Sequence, residues 1–209
     1  MKLLENLNWR YTVKKFSNLK VDQEKIDKII EAINLSASSG GLQPYRIFII
    51  ENKELQKKLR GESFNAQIEE ASHVIVFASY HKMTKGYIEE FMNLNAKVRN
   101  MSISELEDYK NALEFYHLNK TEEESAIWAA KQAYIGLGTA LIAAAELKVD
   151  ATPMEGFDSQ IVNEALSLDG KSLNSVLLLA LGYRDAENDW NIKLKKVRLP
   201  IEEFSTIIK

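Results

Sequence analysis

Three side chains near the start of the chain have the types and spacing of an anion-binding group. In "WRYTVKKF", Arg10, Thr12 and Lys14 occupy every second position, and alternate side chains of an extended segment point to the same side. Two cations and a hydroxyl on one side suit a phosphate or a polyol. Taken alone, the same pattern is more typical of a solubilising basic surface, so both interpretations stay open.

A second pair of cations lies near the other end of the sequence. Lys196 and Arg198 alternate in "KLKKVRLP", just before Pro200. Two short basic patterns at opposite ends of a chain, neither within a long basic run, favour one shared anionic ligand. The sequence has no glycine-rich phosphate loop, so side chains would have to neutralise the charge of that ligand.

Other kinds of site are excluded or disfavoured. The 209-residue chain has no cysteine, which excludes disulfides, thiol nucleophiles and Cys-ligated metals. Its three histidines, His73, His81 and His117, lack metal-ligand spacing, so we expect no metal. The net charge of -3 disfavours nucleic acid. The apolar segment 133–145 is shorter than the roughly 20 residues that span a bilayer, and residues 1–16 lack a signal-peptide core. We expect a soluble, cytoplasmic protein.

Hydrophobic patterns predict the elements that position these residues. Buried strands are predicted in "YRIFIIEN", "SHVIVFASY" and "NSVLLLALGYR", and helices lie between them. The longest helix should begin with a capping box at Thr121 and Glu124 and form a central buried helix. Strands without polar alternation belong to a sheet covered on both faces. We therefore predict an α+β fold with one central sheet, a single domain over residues 1–209, and a helical excursion at about 82–120.

Two connecting segments are rich in turn-forming residues. "SASSGGLQPY" contains Gly40 and Gly41 and is predicted to be a loop that could approach a flat ligand closely, although an ordinary connection explains the composition equally well. "ATPMEGFD" places Pro153 and Gly156 directly after the long helix, which predicts a loop or turn. Pro200 predicts extended or edge structure for the tail.

The order of five segments resembles that of the FMN-dependent nitroreductases. The segments are "RYTVKKF", "SASSGGLQPYRIFII", "EASHVIVF", "WAAKQAYIGLGTALIAAAELKVDATPMEGFD" and "KKVRLP". The likeness runs from about Trp9 to Pro200 and points to the oxygen-insensitive NAD(P)H nitroreductase and dihydropteridine reductase branch. Each segment alone is a weak signal, whereas five in the same order are specific. The resemblance implies a mixed or antiparallel sheet flanked by helices, in an intertwined homodimer.

The resemblance also implies where FMN would bind. The phosphate and the ribityl chain would be held by Arg10, Tyr11, Thr12, Lys14, Lys196 and Arg198. The pyrimidine edge of the flavin would meet Asn65 and Gln67, and the partner subunit would contribute Ser38, Ser39 and Gly41. The isoalloxazine ring would lie beside Pro153, Met154, Glu155 and Gly156, with the backbone N–H groups of the last two reaching N5 and O4.

Two residues depart from the pattern of that branch. Gln67 stands where a lysine is frequent near flavin N1 and O2, and we expect its amide to donate a hydrogen bond there while stabilising a flavin anion less well. Gly41 stands where an asparagine side chain is usual, which removes one contact. Both changes concern the strength of flavin binding and its redox potential.

The implied activity is that of an FMN-dependent NAD(P)H oxidoreductase. NADH or NADPH would pass hydride to flavin N5 and leave, and a nitroaromatic, a quinone or a related acceptor would then take the electrons, which is ping-pong chemistry without an obligatory catalytic side chain. Phe115 and Tyr116 are candidates for a lid over the acceptor pocket, or for core residues of the excursion. Two alternatives stay open: a flavin, quinone or enone reductase with a specialised acceptor, and a non-catalytic dimeric sensor of a phosphorylated ligand.

Overall fold

A four-stranded antiparallel sheet forms the centre of the protein, for which a computed structural model describes all 209 residues. The strands lie in the order β1-β2-β4-β3, and every neighbouring pair is antiparallel. They are β1 (Tyr45–Ile50), β2 (His73–Tyr80), β3 (Asp150–Met154) and β4 (Leu173–Gly182). The α+β fold with one central sheet is therefore confirmed.

Strand β3 corrects the prediction of a loop after the long helix. Its residues pair with β4, with Pro153 opposite Leu179. Because β3 is an edge strand, one side of its backbone has no neighbour, and a proline is tolerated there. The turn-forming composition applies only to the end of the segment, where Glu155 and Gly156 follow the strand.

Nine helices surround the sheet. They are α1 (Lys2–Trp9), α2 (Gln23–Asn34), α3 (Lys53–Arg60), α4 (Gln67–Glu70), α5 (Lys85–Arg99), α6 (Glu107–Leu118), α7 (Glu122–Glu146), α8 (Ser159–Leu166) and α9 (Ile201–Phe204). Helices α5 and α6 lie in the predicted excursion and have a small core of their own around Ile88, Met92 and Leu113. No helix combines the length and the apolar character that crossing a bilayer requires.

Both faces of the sheet are covered, which explains why its strands lack polar alternation. Ile75 and Phe77 of β2 join one core cluster with residues of α2 and α7. Val74 and Val76 of the same strand join the other cluster, with residues of α3, α4 and α8. Successive side chains of a strand point to opposite faces, so both sets must be apolar when both faces are buried.

Helix α7 packs on the sheet through small residues. The predicted capping box starts it, since Thr121 Oγ1 accepts from Glu124 N at 3.2 Å and Glu124 Oε2 accepts from Thr121 N at 2.9 Å. A Cβ at Gly136 would lie 2.5 Å from the hydroxyl oxygen of Tyr45, so glycine is required for this approach to β1. At Gly138, by contrast, no heavy atom lies within 4 Å of a Cβ built there.

The opposite side of α7 carries an exposed apolar stripe. Ile135 is 44% exposed, and the stripe, at helical spacing, consists of Ile127, Tyr134, Ile135, Gly138 and Ile142. Helix α1 contacts α7 and adds the exposed Leu3, Leu4 and Leu7. In a single chain, α7 is therefore buried along one side only. A contiguous apolar stripe of this kind is typical of an interaction surface.

The tail after residue 194 differs from the extended structure that Pro200 predicts. Pro200 directly precedes the short helix α9, a position at which a missing N–H and a fixed φ are tolerated. The apolar side chains of Val197, Ile201, Phe204 and Ile208 are exposed. The tail therefore adds nothing to the core of its own chain.

Candidate functional site

The basic side chains from the two ends of the chain meet, as their pattern predicts. Burial, and then the charge of Arg198, lower the pKa of Arg10, which Asp150 partly offsets. Burial, and then the charges of Arg10 and Arg198, lower the pKa of Lys196. None of these cations has a carboxylate within ion-pair distance. A cluster of like charges that forms no ion pair favours an anionic ligand.

Lys196 differs from the two arginines in how its charge is used. Its ammonium donates to the backbone carbonyls of Leu7, of Asn8 at 3.4 Å and of Arg10 at 2.6 Å. An ammonium has three N–H donors, and all three are directed at the end of α1. Arg198 donates only to the carbonyl of its neighbour Val197, at 2.6 Å, and Nε of Arg10 is buried without a partner. Lys196 therefore attaches the tail to the end of α1, while the guanidiniums of Arg10 and Arg198 keep N–H donors that no protein group uses.

The predicted extended segment from Arg10 to Lys14 is held by side chains. Arg10 follows α1 with φ -69° and ψ 140°. The backbone carbonyls of residues 12, 13 and 14 accept hydrogen bonds of 2.9, 3.0 and 2.9 Å from Asn191, Thr152 and Gln67. These bonds satisfy backbone groups that have no strand partner. The side chains of Thr12 and Lys14 donate to no protein group and are available for a ligand.

A buried ion pair supports this segment and was missed by sequence reasoning. Arg184 pairs with the 3%-exposed Asp150 through Nε at 3.0 Å and also through Nη2. Its guanidinium lies over the rings of Trp9 and Tyr11, 4.5 Å from each centroid. Tyr11 also donates to Asp189 at 2.9 Å, and burial, then this bond, raise its pKa. The only signal for this ion pair in the sequence was a charged residue, Arg184, at the end of an apolar segment.

The turn after β3 has two free backbone N–H groups. The carbonyl of Gly156 accepts from Ser63 Oγ and from Asn65 Nδ2, both at 2.7 Å. The N–H groups of Glu155 and Gly156 donate to no group of the chain. A Cβ at Gly156 would lie 3.1 Å from Asn65 Nδ2, so glycine lets the turn approach closely. Adjacent free N–H groups can stabilise negative charge on a ligand atom.

A hydrogen bond holds the side chain of Glu155. The hydroxyl of Tyr134 donates to Glu155 Oε1. Burial, and then this bond, raise the pKa of Tyr134 to about 12. A cleft of about 710 Å³ opens beside Gly156 and is lined by Glu62, Ser63, Phe64, Gly156, Phe157, Asp158, Ser159 and Ile161. Pro153 and Met154 precede the turn within β3, and Met154 is buried.

The loop with Ser38, Ser39 and Gly41 lies against other elements of the chain. Ser39 N–H donates to Gln132 at 2.8 Å, and Ser38 Oγ accepts from Gln43 N at 3.0 Å. Gly40 and Gly41 have φ of 59° and 64°, the left-handed region that favours glycine. No hydrogen bond links this loop to the cations within one chain. Its role in a partner's site stays a prediction.

Phe115 and Tyr116 are exposed on α6, at 78% and 58%. Their interpretation as core residues of the excursion is therefore wrong. Neither packs into the small core beneath α5 and α6. Their role as lid residues stays a prediction.

Comparison with known proteins extends over almost the whole chain. The model of the nitroreductase family matches residues 7–183. The major NAD(P)H-flavin oxidoreductase of Aliivibrio fischeri is 31% identical over 214 residues, which cover 99% of this chain and 98% of that protein.

Two crystal structures share the fold. A nitroreductase-like protein of Streptococcus mutans superposes with a TM-score of 0.85 at 18% identity, over 100% of this chain and 98% of the other. A nitroreductase-type protein of Exiguobacterium sibiricum in complex with FMN gives 0.83 at 21% identity, again over 100% and 98%. The chain belongs to the nitroreductase family.

Proposed function

We propose that the protein is an FMN-dependent NAD(P)H oxidoreductase. The observation that carries the proposal is the cluster of Arg10, Lys196 and Arg198, in which Lys196 Nζ donates to the backbone carbonyl of Arg10 at 2.6 Å and none of the three cations forms an ion pair with a carboxylate. A phosphate monoester would supply the missing negative charge. The relative from Aliivibrio fischeri, matched over nearly its full length, is itself an NAD(P)H-flavin oxidoreductase.

The donors and acceptors of the site fit FMN. Arg10 and Arg198 would bind the phosphate, with Thr12 and Lys14 on the ribityl chain. Among the buried polar atoms that lack a partner in the chain, Nε of Arg10 and Oε1 of Gln67 belong to residues of this site. Buried polar groups are normally hydrogen-bonded, so both atoms favour a polar ligand.

The chain's own residues position the reactants and adjust the electrostatics. When bound, FMN would supply hydride and electron transfer, taking reducing equivalents from NAD(P)H and passing them to a second substrate in turn. The free N–H groups of Glu155 and Gly156 would stabilise negative charge on the ring. Asn65 holds the carbonyl of Gly156 at 2.7 Å, which fixes the orientation of that peptide. No side-chain acid or base is required, and we propose nitroaromatics, quinones or related compounds as acceptors.

The absorbance spectrum of the purified protein tests this proposal directly. We expect a yellow protein with flavin bands that bleach when NADH or NADPH is added under nitrogen and return when a quinone or a nitroaromatic is added. A protein that takes up FMN but is bleached by neither nucleotide would contradict the enzymatic role. A colourless protein that fails to bind FMN would contradict the flavin site and favour a sensor of another phosphorylated ligand.

We further propose that the protein is a homodimer joined through the exposed stripe of α7 and the leucines of α1. The stripe is apolar in the middle of the longest helix, where a single chain leaves it in water. Gly138 lies in this stripe with open space in front of it. Close backbone approach by a partner helix would use that space.

Ile135→Glu should convert the dimer into a monomer. Ile135 is 44% exposed in one chain, so the substitution changes monomer stability by only about 0.5 kcal/mol, whereas a carboxylate buried in an apolar interface is strongly unfavourable. Light scattering after gel filtration gives the mass of each variant. Val98→Glu, which replaces an exposed apolar residue on α5, should remain dimeric. A dimeric Ile135→Glu protein would place the interface elsewhere.

A further inference from the structure

The oxygen of the Gln67 amide is a buried polar atom without a hydrogen-bond partner in the chain. Gln67 is 6% exposed, and its Nε2 donates to the backbone carbonyl of Lys14 at 2.9 Å. Its Oε1 is buried and has no partner. The orientation of the amide is fixed by the carbonyl of Lys14, which can only accept a hydrogen bond.

Hydrogen bonds from Gln67 and from the nearby Asn65 reach the two parts of the candidate site. Through Lys14, the amide contacts the segment that carries Arg10 and Thr12. Two residues earlier, Asn65 bonds to the carbonyl of Gly156, next to the two free N–H groups. A ligand that reaches from the cations to the turn at Gly156 must therefore pass an acceptor that needs a donor.

We propose that Gln67 acts as a hydrogen-bond acceptor toward bound FMN and thereby favours the neutral reduced cofactor over the anion. The inference rests on the proposed function. Full reduction of FMN consumes two electrons and either two protons, which gives the neutral form with N–H at N1, or one proton, which leaves N1 negative. An amide oxygen accepts from N1–H but repels a negative N1.

This proposal differs from the expectation that the amide of Gln67 would donate to the flavin. One of the two N–H groups of Nε2 is bonded to Lys14 O, whereas Oε1 has no partner in the chain, so the oxygen is the polar atom that lacks a hydrogen bond. A lysine in place of Gln67 would act in the opposite sense, because an ammonium favours a nearby anion. Glutamine at position 67 would therefore determine how many protons FMN takes up on full reduction, as well as how strongly FMN binds.

The pH dependence of the midpoint potential of the FMN-loaded protein tests the inference. Each proton taken up shifts a two-electron couple by about 30 mV per pH unit. We expect a slope of about 59 mV per pH unit between pH 6 and pH 8 for the natural sequence. For Gln67→Lys, whose ammonium can still donate to Lys14 O, we expect about 30 mV per pH unit over the upper part of that range. The absorbance of the reduced protein at each pH gives a second, independent measure of protonation.

Gln56 offers a matched control. It is a second buried glutamine with an unpartnered Oε1, but its Nε2 donates to the carbonyls of Ile50 and Ala71, away from the cations. Gln56→Met should lower the stability and leave the slope at about 59 mV per pH unit. A slope of about 30 mV per pH unit in the natural protein, or an unchanged slope in Gln67→Lys, would overturn the inference while the flavin site stands. A protein that binds no FMN would overturn the proposed function itself.

Discussion

Arg10→Ala and Arg198→Ala should each weaken FMN binding at least tenfold. A hydrogen bond to a charged group contributes about 1.5–3 kcal/mol, and about 1.4 kcal/mol corresponds to a factor of ten. Burial and then the nearby charge of Arg198 lower the pKa of Arg10, and neither guanidinium forms an ion pair with a carboxylate. Titration of the apo variants with FMN, followed by the quenching of flavin fluorescence, gives the dissociation constants.

Lys195→Ala is the matched control for this experiment. Lys195 is exposed in the same segment as Arg198 and forms no ion pair or hydrogen bond, so its removal should leave the affinity within about twofold, as for an isolated surface charge. Salt should weaken binding to the natural protein more than binding to the Arg198→Ala variant, because screening acts on charge pairs. Unchanged FMN affinity in both arginine variants would refute the phosphate site.

Asp150→Ala should lower the free energy of unfolding by about 3–5 kcal/mol, because it leaves the guanidinium of Arg184 without its buried counter-charge. Asp150 is 3% exposed, and it also accepts from the backbone N–H of Arg184 at 2.8 Å. Urea unfolding of the apo protein measures the loss. The segment around Tyr11 should loosen at the same time, since Arg184 lies against that ring.

An exposed pair provides the comparison for Asp150. Glu24 and Lys28 are one turn apart on the surface of α2, and Glu24→Ala should leave the free energy of unfolding nearly unchanged, because solvent screens an exposed pair. Replacing both Asp150 and Arg184 by apolar residues of similar size should recover part of the stability, because the desolvation of both charges is then avoided. A loss below about 1 kcal/mol for Asp150→Ala would mean that the pair is dispensable for the fold.

Most of the fold could be predicted because its elements carry local signals. Apolar runs marked β1, β2 and β4, and Thr121 with Glu124 marked the start of α7. Strand β3 was missed because Pro153 has the composition of a turn, and only the place of the strand at the sheet edge makes the proline acceptable. The spacing of Arg10, Thr12 and Lys14 favoured an extended segment; the backbone of Arg10 is extended, whereas the chain bends at Lys14.

The site was only partly predictable because its contacts are distant in sequence. Lys196 and Arg10 are 186 residues apart, and only the presence of a short basic pattern near each end of the chain hinted that they meet. Nothing local indicates that the amide of Gln67 is used by Lys14 O, or that Asp150 pairs with Arg184. Such pairings depend on how strands and loops come together, and a one-dimensional pattern does not contain that information.

The meeting of Arg10 with a residue 186 positions later also has a consequence for biosynthesis. A ribosome releases the chain from its N-terminus, and early segments begin to fold while later ones are still being made. The anion-binding cluster cannot exist until Lys196 and Arg198 have emerged and docked against the end of α1. Cofactor capture would therefore be a late event in the life of each new molecule, and chains interrupted before this point would accumulate as folded but colourless protein.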